Sequence, residues 1–158
     1  MQPMPTGGFT WMPREEIDSL NLDDYDDYGK TGLILEVDLK YPEELHDSHN
    51  DYPMAPEKMT VSKDMLSPTS SDMFEKLHLN AGKVEKLVPN LKDKKKYVVH
   101  YRNLKFYLKH GLKIEKIHDV LKFNQSPWIA KYMQFNTTRR ANAKTEFQKD
   151  NCKLMNNR

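Results

Sequence analysis

Two lysines four residues apart, Lys149 and Lys153, are the side chains in this sequence whose type and spacing most suggest chemistry. On a helix turning by about 100° per residue they share a face with Asn142, Thr145 and Asn156, with Arg139 at its edge. Ala143, Phe147 and Leu154 form a different, apolar stripe that is expected to pack inward. Cations one turn apart can hold successive charged oxygens of a triphosphate, so this face reads as a rail for phosphates. Its other reading is a solvated polar face opposite a packed one. Glu43, Glu44, His46, Asp47 and His49 crowd potential metal ligands into a short stretch. No further Cys/His pair at structural spacing supports them, so they read as a polar surface loop. The Asp23–Asp27 run lacks the glycine and the distal glutamate of a calcium loop and reads as an acidic tip. No GxGxxG, GxSxG or Walker-type loop is present. The single cysteine, Cys152, can form no internal disulfide and reads as a small helix residue.

Charge along the chain is asymmetric. Residues 1–60 hold 4 Lys/Arg against 14 Asp/Glu, whereas residues 81–158 hold 19 against 6, although the whole chain nets only +2. Such a split suits a protein with one surface facing a polyanion. No run approaches the length of a bilayer span and no apolar leader follows a basic start, so the chain reads as intracellular, without signal peptide or membrane partner.

The elements that must position these residues follow from periodicity. Leu33, Leu35, Val37 and Leu39 alternate with more polar neighbours between Gly32 and Pro42, which predicts a half-buried strand. Pro3 to Tyr28, rich in Pro, Gly and Asp, is expected to be loop with a turn of helix around Glu15–Leu20. Between Pro42 and Pro89 the pattern predicts an irregular insertion with one helical piece, Ser71 to Leu79, capped by Ser71 or Asp72. Tyr97–Tyr101 reads as a strand, Arg102–His110 as a helix stopped by Gly111, and the stretch from Leu112 to Phe123 as a strand with a bulge. Pro127 opens a helical region to the end of the chain, bent near Asn136–Thr138, with Thr137 or Thr138 capping a second helix. The fold class expected is α+β.

The segment Lys153-Leu154-Met155-Asn156-Asn157 resembles the start of K-x-x-x-N-S-x-Y-G, the fingers-helix motif of family B DNA polymerases. Leu121-Lys122-Phe123, with a helix beginning near Pro127, is similar to the approach to that motif in the protein-primed phage enzymes. The stretches Gly32 to Pro42, Leu45 to Pro56 and Tyr97 to Leu121 are similar to ones recurring in polymerase-like proteins of viruses and mobile elements. The resemblance implies that Lys153 and Lys149 contact the phosphates of an incoming nucleotide and that Asn157 lies near the nascent pair. Arg139, Arg140 and Lys144 of the basic half are the expected nucleic-acid contacts, and the resemblance implies partners comprising template and primer DNA, a deoxynucleoside triphosphate and a terminal protein. Residues 1–126 correspond to the insertion of protein-primed enzymes with adjoining palm elements, and residues 127–158 to the start of the fingers helices. The sequence departs from the family at Arg158, where serine is expected, and contains neither an Asp-x-x-x-Leu-Tyr-Pro run nor Asp-Thr-Asp. Two-metal phosphoryl transfer depends on such carboxylates. The chain is therefore expected to be a polymerase fragment inactive by itself, with no catalytic residue or metal ligand of its own and Mg²⁺ belonging to the intact enzyme. The alternatives are a non-catalytic nucleic-acid-binding module using the basic half, and an unrelated interaction domain whose basic helix is merely solvated.

Overall fold

The fold is α+β, and the computed structural model describes residues 2–78 and 84–157. In chain order the elements begin with β1 (Met4–Trp11), α1 (Arg14–Asp18), β2 (Thr31–Lys40), α2 (His46–His49), β3 (Glu57–Met59) and α3 (Pro68–Lys76). They continue with β4 (Lys86–Val88), β5 (Lys94–His100), α4 (Tyr101–Lys109), β6 (Lys113–Ser126), α5 (Ala130–Ala141) and α6 (Glu146–Asn156). One sheet has the order β1-β6-β2-β5, and β3 pairs with β4 in a second, two-stranded sheet. Among the described residues no helix is long and apolar enough to cross a membrane. The chain divides into two compact units. The first comprises Met1–Leu35, His100–Arg102 and Asp119–Arg158, and the second Glu36–Val99 and Asn103–His118.

In the first unit, Leu33 and Leu35 are fully buried with Tyr101, Val120 and Phe123, as the alternation along β2 predicts. Gly32 sits where a Cβ would come within 2.5 Å of the Phe123 ring, so the strand needs glycine there for lack of space. A buried polar network ties the preceding loop to the sheet. Gln125 Nε2 donates to the Gly29 carbonyl (3.0 Å) and to Tyr101 Oη (2.9 Å), and Tyr101 in turn donates to the Asp26 carbonyl (2.9 Å). The expectation of loop over Pro3–Tyr28 needs correcting, because Met4–Trp11 is a strand paired antiparallel with β6, from Met4 opposite Ser126 to Trp11 opposite Leu121. Register shifts flank Gly7, which with Gly8 adopts positive φ, +132° and +66°. An exposed strand with bulges shows no alternation, and only its ladder to β6 makes it a strand.

In the second unit, Val37 and Leu39 are buried with Val99, Leu104 and Leu112. Gly111, at φ +99°, stops α4 as expected, and a Cβ there would meet Leu45 Cδ1 at 2.9 Å. The insertion is more ordered than its composition suggests. Its helix α3 starts earlier than expected, with Ser67 as cap accepting from the Ser70 amide and Pro68 in the first turn. Leu79, the expected end of that helix, lies outside the described residues. The fully buried ammonium of Lys94 donates to Glu57 Oε2 (2.9 Å), the Asn90 carbonyl (3.2 Å) and Asn90 Oδ1 (2.5 Å), which joins β5 to the β3–β4 pair. His46 and His49 both set their rings edge-on to Tyr41, and Tyr41 Oη lies 2.8 Å from His49 Nδ1. The two histidines thus flank a buried tyrosine.

Candidate nucleic-acid interface

The residues expected to meet phosphate all fall on the helical hairpin of α5 and α6. The helical pattern is interrupted at residues 142–145, later than the expected bend near Asn136–Thr138. Thr137 does not cap a helix; its hydroxyl donates to the Met133 carbonyl one turn back (2.8 Å). The cap of α6 is Thr145, whose Oγ1 accepts from the Gln148 amide (3.3 Å) while Gln148 Oε1 accepts from the Lys144 amide (3.1 Å). This is a near relative of the capping box, and its signal, Thr145-x-x-Gln148, was present in the sequence. At the open end, Tyr132 Oη donates to the Met155 carbonyl (3.1 Å), satisfying one of the last-turn carbonyls of α6.

Arg139 and Arg140 occupy the last turn of α5 and Lys153 the last turn of α6, where cations favour the helix dipole. Lys144 lies in the connection, exposed, and Asn157 is the C-cap residue of α6. Lys149 is half-buried and its Nζ contacts Glu146 Oε1 at 2.7 Å. Lys153 is exposed, and among the described residues no acid pairs with it. The rail therefore has one cation already neutralised in part and one free. Arg139 sets its guanidinium 5.3 Å from the centre of the Phe135 ring, a geometry that keeps the cation over an aromatic face. Arg158 lies outside the described residues.

The apolar stripe of α6 does not behave as expected. Phe147 is 81% exposed and Leu154 62% exposed, rather than packed inward. The hairpin supplies α6 with one neighbouring helix, and the half-buried side it turns to that neighbour carries Lys149, Cys152 and Asn156. Amphipathicity predicts a stripe but not which neighbour, if any, covers it.

Two features of the hairpin carried no usable sequence signal. The first is a cleft of about 530 Å³ between the helices, walled by Tyr132, Asn136 and Arg139 of α5 and by Phe147, Asn151 and Cys152 of α6. Asn136 is only 6% exposed there and its Nδ2 has no hydrogen-bond partner, an arrangement that costs about 1–3 kcal/mol when nothing accepts the proton. The second is a row of exposed aromatics: Trp128 in the turn leading into α5, then Tyr132 and Phe135 on it, with Arg139 one turn further. Between Asp119 and Glu146 the chain has no carboxylate side chain but five cations, Lys122, Lys131, Arg139, Arg140 and Lys144. No protein-family model matches this chain, and neither a curated protein nor a solved structure matches it.

Proposed function

We propose that this chain is part of a DNA-directed DNA polymerase of the protein-primed family B type, in which the α5–α6 hairpin meets the phosphates of nucleotide and DNA. The observation that carries the reading is the pair Lys149 and Lys153, one turn apart on a capped helix that follows a stretch free of carboxylates. In this role Lys153 provides a free ammonium for a phosphate oxygen. Lys149 exchanges Glu146 for a second oxygen, and Asn157 stands just beyond them. Arg139, Arg140 and Lys144 supply sequence-independent contacts to the DNA backbone. Among the described residues no three carboxylates, histidines or cysteines converge to hold a metal. The resemblance assigns Mg²⁺ to the intact enzyme, and the part proposed for this chain is binding.

A second reading, a nucleic-acid-binding module without catalysis, is favoured by the exposed row Trp128, Tyr132 and Phe135 among cations, since stacked bases and backbone charge together hold single strands. Titration of dTTP and of a short single-stranded DNA, at two salt concentrations, separates the two. On the polymerase reading, Lys149→Ala with Lys153→Ala weakens dTTP binding by about 1 kcal/mol per lost contact. DNA affinity falls steeply with salt as counterions are released. Binding of dTTP that ignores the double substitution rejects the polymerase reading, and DNA binding indifferent to salt rejects both.

A further inference from the structure

We infer that the cleft between α5 and α6 is a nucleobase-binding site, distinct from the lysine face of α6 and independent of the polymerase reading. Lys149 and Lys153 lie outside its lining. Its volume of about 530 Å³ is in the range of small-ligand sites, roughly 300–1,000 Å³. Three observations point to the ligand. Asn136, 6% exposed, lines the cleft; its Nδ2 is closed off from solvent and has no partner, and turning the carboxamide about χ2 would offer the mixed donor and acceptor edge that a base matches. Phe147 and Tyr132 stand on the walls, Phe147 almost entirely free to lie against a planar ring. Arg139 is part of the same lining, and no carboxylate side chain is, so the phosphate attached to a base meets a cation and no repulsion. The shared chemistry is a base bearing a 5′-phosphate, whether free or as an unpaired residue of a strand.

Cys152, the only cysteine of the chain, also lines the cleft and reports its occupancy. Alkylation of Cys152 in the full chain is followed with AMP, a 12-residue oligothymidylate, ribose 5-phosphate or inorganic phosphate present. AMP at ten times its Kd slows alkylation about tenfold, because only the unoccupied fraction reacts. Ribose 5-phosphate and inorganic phosphate leave the rate unchanged. Protection by AMP assigns the site to free nucleotides, and protection by the oligonucleotide alone assigns it to an unpaired residue of a strand. Arg139→Gln and Phe147→Ala, both at exposed positions, each raise the ligand concentration needed about tenfold, and Asn136→Asp abolishes protection in a chain whose circular dichroism is unchanged. Protection by phosphate equal to that by AMP, no protection by any probe, or full protection in Arg139→Gln and Phe147→Ala overturns the inference. The lysine-face reading stands or falls separately, on dTTP affinity in the Lys149→Ala, Lys153→Ala double variant.

Discussion

Lys94 shows what a single residue contributes when its charge is buried with partners already in place. Its ammonium has three acceptors, one for each proton, from Glu57 and Asn90, so the ion is satisfied although no water reaches it. Burial tends to raise the Glu57 carboxyl, but the hydrogen bonds from Lys94 and Asn90 outweigh it and hold the group below the usual carboxylate range. Losing Glu57 is worse than losing Lys94, because the Lys94 ammonium is fully buried whereas the Glu57 carboxylate, 31% exposed, can turn to water. Glu57→Ala is expected to destabilise the chain by about 3 kcal/mol, whereas Lys94→Met, similar in volume, costs less than about 1.5 kcal/mol. Urea midpoints of the two variants measure this, and equal losses would show that Glu57 does not neutralise Lys94. Neither residue stands out in the sequence, where Lys94 is one of a run of three lysines and Glu57 follows a proline. Burial of one lysine in such a run is decided by the ladder it joins.

At the scale of elements, hydrophobic period was a reliable guide where one face of the element is buried. The alternation of Leu33, Leu35, Val37 and Leu39 is β2 itself, with all four side chains inaccessible to solvent. Strand β1, exposed along nearly its whole length, had no such period to show. Helix boundaries rested on caps, and there two threonines compete. Thr145→Ala removes the acceptor for the Gln148 amide and is expected to cost about 1 kcal/mol. Thr137→Ala removes only a bond to the preceding turn and is expected to stay within about 0.5 kcal/mol. Helix content and thermal midpoints compare them, and a larger loss at Thr137 would place the start of the second helix where the sequence first suggested.

For the whole molecule, the two units respond to acid through different groups. In the second unit the Lys96 amide and His118 hold Asp38 down at about 2, and Lys40 with the Tyr41 amide lowers Asp93. With Glu57 these are carboxyls depressed on folding. Their stabilisation is complete above the ordinary carboxylate range, about 4, and is lost as pH falls through their folded values. In the first unit burial lowers His100, with Arg102 adding to the shift. A histidine held below its ordinary value stabilises the neutral state, so its contribution is complete above about 6.5 and declines on acidification from there. The first unit is therefore expected to weaken at higher pH than the second. Both tryptophans, Trp11 and Trp128, belong to the first unit, so their fluorescence follows it, while amide exchange of β5 follows the other. Loss of β5 protection before any change in tryptophan emission would contradict this order, and Asp38→Asn should flatten the acid limb of the second unit alone.

Local information was enough for the α+β class, the run of β2, the stop at Gly111, and the gathering of cations toward the C-terminal part of the chain. These depend on the period of side chains, the freedom of glycine at positive φ, and net charge, all carried by neighbours in sequence. Pairing across distance decided the rest. β1 exists because β6 offers it a ladder, Lys94 is buried because Glu57 reaches it from another sheet and Asn90 from the segment after β4, and Asn136 lines a cleft because α6 folds back against α5. Phe147 and Leu154 mark the limit most plainly. Their stripe is legible in the sequence, but burial needs a second surface, and only the tertiary structure shows that α6 turns a different side to its neighbour.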